Sequence, residues 1–170
     1  MGLANKMKRL LGADERGREV VLLSPLEGGV VPMEEVADET FATKILGDGV
    51  AILPCGETVY APAAGRVEQT FDSGHALTMI TDEGVELLLH VGIDTVRLQG
   101  KHFEILVTAD QRVEVGAPLL RFEAEMIKRE GFDLTTPLIV SNSDSFDVQK
   151  VAAGRVAVGT PLLKLVRKGR

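Results

Sequence analysis

Two stretches of the chain nearly repeat each other, and this constrains the fold more than any other feature. Arg112-Val113-Glu114-Val115-Gly116-Ala117-Pro118-Leu119-Leu120 returns as Arg155-Val156-Ala157-Val158-Gly159-Thr160-Pro161-Leu162-Leu163. A looser pair joins Ser24-Pro25-Leu26-Glu27-Gly28-Gly29-Val30 to Ala61-Pro62-Ala63-Ala64-Gly65-Arg66-Val67. Each copy reads as a strand, a glycine turn and another strand. Two copies are too few for a solenoid, which needs about three or more. The pattern predicts an all-β sandwich or barrel with internal pseudo-symmetry.

The rest of the chain agrees. Glu19 to Leu23 ends at Ser24-Pro25, Gly49 to Leu53 ends at Pro54, and Val85 to Val91 is a further apolar run. The 18 Gly and 7 Pro are scattered through the chain, so they punctuate many short elements. With no Trp and one Tyr, aliphatic side chains must fill the core. A helix is expected in the body only at Ala124 to Glu130, closed by Gly131. Residues 3–11 form a second helical pattern, with Leu3, Met7, Leu10 and Leu11 on one face and Lys6, Lys8 and Arg9 around the rest. That pattern suits weak contact with anionic lipid or a frayed terminus. The expected division is a tail and linker over residues 1–18 and one domain over 19–170.

Charge and motifs remove several function classes. A net charge of −6, with cations clustered only at the two ends, argues against nucleic acid as a partner. The single cysteine, Cys55, permits no disulfide within the chain and fits a reducing cytoplasm. No stretch is long and apolar enough to span a bilayer. Phosphate-binding loops, dinucleotide fingerprints, nucleophile elbows and close zinc-binding histidine pairs are all missing.

Three histidines remain: His75, His90 and His102. His102 follows Gly100-Lys101 and is expected at the exposed surface. His90 lies in Val85-Glu86-Leu87-Leu88-Leu89-His90-Val91. Strand alternation puts Leu87, Leu89 and Val91 on one wholly apolar face, and Glu86, Leu88 and His90 on the other. His90 is then an imidazole on an apolar floor, which suits either a reactive group or a structural histidine satisfied by backbone.

At Gly84 to Val96 the sequence becomes more specific. Three aliphatic residues precede His90, and Gly92 and Thr95 follow at fixed distances. This resembles the active-site motif of the glucose-type EIIA family of the bacterial sugar phosphotransferase system. The similarity extends to Phe41 to Ile52, Tyr60 to Gly65, His75-Ala76 and Leu134 to Asn142. The opening Met1-Gly2-Leu3 and its cationic helix resemble the tail of freestanding enteric members. Glu39 and Thr40 depart from the family, where apolar residues are usual, and Ser73 stands where threonine is common.

The resemblance implies an antiparallel β-sandwich whose shallow apolar depression holds two histidines. His90 would accept a phosphoryl group from the carrier protein HPr and pass it to a cysteine of an EIIB domain of a sugar permease. His75 would assist, with Ser73 adding a hydrogen bond, and Thr95 or a backbone carbonyl after His90 would hold the protonated ring nitrogen. Asp38 and Asp94 would face a cationic partner. Phe41, Ile45, Leu46, Phe71, Leu88 and Val96 would form the docking rim. No cofactor is implied, although His75 and His90 could hold a zinc ion completed by a partner. Two other readings stay open: a regulatory module that binds transporters or enzymes without catalysis, and a zinc metallopeptidase using the two histidines and an aspartate.

Overall fold

The computed structural model describes residues 19–169. The expected amphipathic helix at 3–11 and the linker to residue 18 lie outside the described residues. Among those described, fourteen strands dominate and the two helices are short.

The central layer is an eight-stranded antiparallel sheet. Its strands are β2 (Gly28–Pro32), β3 (Asp48–Pro54), β5 (Gly65–Thr70), β6 (Ala76–Thr81), β7 (Glu86–His90), β9 (Arg112–Val113), β11 (Thr136–Val140) and β13 (Arg155–Val156). The order across the sheet is β13-β2-β3-β11-β7-β6-β5-β9. Two three-stranded sheets complete the sandwich. One joins β1 (Glu19–Leu23), β14 (Pro161–Arg167) and β12 (Phe146–Lys150). The other joins β4 (Thr58–Tyr60), β10 (Pro118–Phe122) and β8 (Phe103–Ile105).

The echoes in the sequence become a pseudo-twofold in the sheet. β13 pairs with β2 through Arg155 opposite Gly29 and Val156 opposite Gly28. β9 pairs with β5 through Arg112 opposite Arg66 and Val113 opposite Gly65, at the matching positions of the repeat. The turns repeat their bonds as well. The Gly116 and Gly159 amides donate to the Ala61 and Ser24 carbonyls at 2.9 and 3.0 Å, and the Ala61 and Ser24 amides donate to Ala117 and Thr160. The two copies also grip each other, with Leu23 N–H on the Pro62 carbonyl and Tyr60 N–H on the Pro25 carbonyl, both at 2.9 Å. Gly28 and Gly65 are glycines for one reason. A Cβ there would sit 2.1 Å from the Leu53 and Ile80 carbonyl oxygens respectively.

The axis passes between β7 and β11, where Leu89 pairs with Leu138. One face of the large sheet buries Val50, Ile52, Leu77, Met79, Leu87, Leu89 and Leu138 against Leu22, Val59, Leu119, Leu120, Leu163 and Leu165 of the smaller sheets. Fully burying each such side chain contributes about 1.5–3 kcal/mol. This is the main core.

The opposite face carries the site, because the pseudo-symmetry fails there. The connection from β2 to β3 runs over residues 33–47 and folds back over the sheet as a 3-10 turn, Met33–Glu35, and a short helix α1, Glu39–Ala42. Met33, Val36 and Phe41 then pack on Ala51 and Ile139, with Leu88 and Ile93 beside them. The matching connection from β5 to β6, residues 71–75, is too short to cover anything. It closes in a tight turn with the Gly74 amide on the Phe71 carbonyl at 2.8 Å. The sheet surface at β6 and β7 therefore stays open beside a covered half.

The second helix, α2 (Ala124–Arg129), falls in the expected segment. His102 corrects an expectation. Its side chain is 7% exposed rather than at the surface, lying between Glu130, 2.9 Å from Nε2, and Glu123, 3.6 Å from Nδ1. Both carboxylates flank α2, far along the chain, so the polar neighbours of His102 in sequence did not reveal its burial.

Candidate functional site

His90 closes β7, and alternation has placed it as expected: Leu87 and Leu89 are buried on the core side, while His90 and Leu88 are half-buried on the open side. His75 immediately precedes β6 and continues its pairing, since the Val91 amide donates to the His75 carbonyl at 2.8 Å. With Ala76 opposite His90, the two imidazoles come together edge to face, 4.7 Å between centroids at 84°. Phe41 lies 5.0 Å from the His90 ring and Phe71 lies 5.9 Å from the His75 ring. Phe41, His90, His75 and Phe71 thus make a row of four rings along the floor of the depression.

Each imidazole uses one nitrogen for anchorage. His90 Nδ1 is 2.8 Å from the Gly92 carbonyl oxygen. A carbonyl only accepts, so the bond places the proton on Nδ1 and leaves an electron pair on Nε2. His75 Nδ1 is 2.6 Å from the Ser73 hydroxyl. Ser73 is therefore engaged with His75. Thr95 is fully buried and donates its hydroxyl to the Val91 carbonyl. It shapes the loop after His90, and the backbone carbonyl holds the ring.

Burial governs the charge of both rings. It pulls the His75 pKa down to about 4, with the neighbouring His90 as a lesser cause. Burial also lowers the His90 pKa, opposed by the Gly92 hydrogen bond and the Asp38 and Asp94 carboxylates. Both rings are accordingly neutral near pH 7.

Asp38 is tied down rather than free. Its Oδ1 caps α1, accepting from the Thr40 and Phe41 amides at 2.8 and 3.4 Å. Asp94 is exposed, in a left-handed conformation with φ 57°, at the start of the 3-10 turn Thr95–Leu98. The same two segments carry large apolar side chains in the open: Ile45, 77% exposed, and Leu46, 41%, follow Asp38 in the connection to β3, and Val96, 51%, follows Asp94. Phe41, expected in the same rim, is only 6% exposed and forms the floor under His90. Leu88 is shared between that floor and the open face.

A metal would find only two ligands here. Among the described residues no group of three or more His, Cys, Asp or Glu side chains is placed to hold a metal ion. No helix among them is long and apolar enough to cross a membrane. Cys55 is exposed, and Arg155 Nη2 lies 3.1 Å from its sulfur, a neighbour that the local sequence did not show.

The comparisons with known proteins agree with this geometry. Residues 20–146 match the family described as phosphoenolpyruvate-dependent sugar phosphotransferase system, EIIA 1. The chain is 43% identical over 150 residues to a beta-glucoside-specific EIIBCA component of Dickeya chrysanthemi, covering 88% of this chain and 24% of that protein. The chain thus spans about a quarter of the length of such multi-component relatives. It is 40% identical over 138 residues to a glucose-specific EIIA component of Staphylococcus aureus, covering 81% of this chain and 83% of that protein. The solved glucose permease IIA of Mycoplasma capricolum superposes with a TM-score of 0.82 at 34% identity, covering 86% of this chain and 96% of that one. The chain belongs to the EIIA 1 family of the phosphoenolpyruvate-dependent sugar phosphotransferase system.

Proposed function

We propose that the chain is a phosphocarrier in which Nε2 of His90 accepts a phosphoryl group from phosphorylated HPr and yields it to a cysteine of an EIIB domain. The observation that carries this reading is the pair of perpendicular imidazoles, each anchored through Nδ1, which leaves both Nε2 atoms for one shared group. The electron pair on His90 Nε2 attacks phosphorus, a new P–N bond forms, and the bond to the donor breaks. His90 then keeps its Nδ1 proton on the Gly92 carbonyl. In the onward step a thiolate attacks phosphorus, the P–N bond breaks and a P–S bond forms. Such transfers depend on in-line placement and charge stabilisation. Ser73, donating to His75 Nδ1, would leave an Nε2–H on His75 to hydrogen-bond a phosphoryl oxygen.

The partner surface follows from the rim. Ile45, Leu46 and Val96 would supply desolvated contact, with Phe71 and Leu88 at the floor's edge. Asp38 and Asp94 would align a cationic patch on HPr. The relatives named EIIBCA components support EIIB as the acceptor side. Phosphate among these apolar groups would also change which transporters or enzymes the face binds. A zinc ion at the two histidines would need its other ligands from such a partner. Residues 3–11 would hold a cytoplasmic carrier near the anionic inner leaflet.

The test is phosphoryl uptake. The chain, incubated with phosphoenolpyruvate, enzyme I and HPr, should gain one acid-labile phosphoryl group by intact mass, and His90→Ala should gain none. A folded wild-type chain that stays unlabelled, or a His90→Ala variant that labels normally, overturns the reading.

A further inference from the structure

The carbonyl that orients His90 belongs to a peptide group held at both ends. The Gly92 C=O accepts from His90 Nδ1 at 2.8 Å. The N–H of the same peptide, on Ile93, donates to the Asp133 carbonyl at 2.9 Å. A planar trans peptide turns as one body, so fixing the N–H fixes the oxygen. The result is an unbroken series of hydrogen bonds from imidazole to peptide to carbonyl, and each bond polarises the next. The contact is close: a Cβ on Gly92 would lie 2.9 Å from the Asp133 oxygen.

The Asp133 backbone is in turn held by its own side chain. Asp133 Oδ1 accepts from the Thr135 amide at 2.8 Å and the Thr135 hydroxyl at 2.7 Å. This clamps the segment just before β11, with Thr135 buried. The Arg97 guanidinium over the Phe132 ring, 5.7 Å from its centroid, links the same segment to the turn after His90.

Resting on the phosphocarrier reading of His90, we infer that Asp133, braced by Thr135, is a positioning residue that keeps the His90 proton on Nδ1. It touches neither phosphate nor imidazole. Without the carboxylate the clamp opens, the Ile93 N–H loses its aligned acceptor, and the Gly92–Ile93 peptide can rotate. The His90 proton then moves in part to Nε2, where it occupies the electron pair that must attack phosphorus.

Nitrogen NMR of the whole chain, labelled at histidine, tests this without any phosphate present. Wild type should show His90 almost wholly protonated at Nδ1. Asp133→Ala should raise the Nε2-protonated fraction about tenfold and slow uptake from phospho-HPr by a similar factor. Asp133→Asn keeps the Oδ1 acceptor and should restore both. Thr135→Val removes one donor at constant volume and should shift the tautomer the same way by less, which decides the matter even where Asp133→Ala does not fold. Unaltered His90 nitrogen shifts in a folded Asp133→Ala or in Thr135→Val, or equal slowing in Asp133→Ala and Asp133→Asn, overturns the inference. A wild type that takes up no phosphate while the tautomer still responds refutes the carrier reading alone.

Discussion

Replacing Gly92 by alanine tests how tightly the His90 anchor is built. Gly92 has φ +77°, and an added Cβ would meet Thr95 Cγ2 at 2.6 Å and the Asp133 carbonyl oxygen at 2.9 Å. Neither neighbour can yield easily. Thr95 is fully buried with its hydroxyl on the Val91 carbonyl, and the Asp133 oxygen belongs to the backbone that holds Ile93. The left-handed conformation costs an L-residue about 1 kcal/mol. Overpacking against a fixed backbone adds about 1–3 kcal/mol, so the expected loss of stability is about 2–4 kcal/mol. Relief of the clash must also move the Gly92 carbonyl away from His90 Nδ1, and uptake from phospho-HPr should slow about ten- to a hundredfold. Gly116 supplies the control, since its φ is +80° and nothing lies within 4 Å of an added Cβ. Gly116→Ala should lose only about 1 kcal/mol and keep its uptake rate. Urea unfolding and rapid-quench phosphoryl uptake, run on both variants, give the two numbers. Equal destabilisation of the two, or normal uptake by Gly92→Ala, would refute the argument that this close approach sets the His90 geometry.

Acid should weaken the fold through the same histidines. The folded His75 pKa of about 4 lies below its usual 6.5, so the unfolded chain binds the proton more readily. This contribution to stability is complete above pH 6.5 and is lost as pH falls toward 4; it corresponds to about 3 kcal/mol, and about half that after solvent screening at the open depression. His75→Gln should therefore lose less stability than wild type between pH 7 and pH 5 in urea titrations, and equal losses would contradict the burial argument. On the rim, Val96→Asp should raise the KM for phospho-HPr about tenfold while leaving uptake at saturation nearly unchanged. Asp94→Asn, which tolerates the left-handed backbone, should weaken the same step and flatten its salt dependence. Unchanged KM in both variants would show that partners dock elsewhere.

Much of this was legible in the sequence because the information was local or periodic. Alternation along Val85 to Val91 gave the face of His90, and the paired echoes anticipated a pseudo-symmetry that the structure realises by pairing β9 with β5 as β13 pairs with β2. What escaped depended on contacts between distant segments. His102 looked exposed from its neighbours, yet Glu123 and Glu130 close over it from either end of α2. Phe41 looked like rim, but the length of the connection over residues 33–47 lets it fold down as floor. Ser73 offered a hydroxyl near the site, but its sequence neighbours did not show that His75 Nδ1 would lie 2.6 Å from it. The Asp133 clamp left only a faint signal, an Asp two residues before a Thr at a strand entrance, which is the spacing of a side-chain-stabilised turn.

The atom that carries phosphate is read most directly by nitrogen–phosphorus NMR of the histidine-labelled chain after phosphorylation by enzyme I and HPr. Phosphorus should couple to one nitrogen, Nε2 of His90, with Nδ1 still carrying its proton and His75 unmodified. Phosphorus on Nδ1 of His90, or on His75, would contradict this assignment.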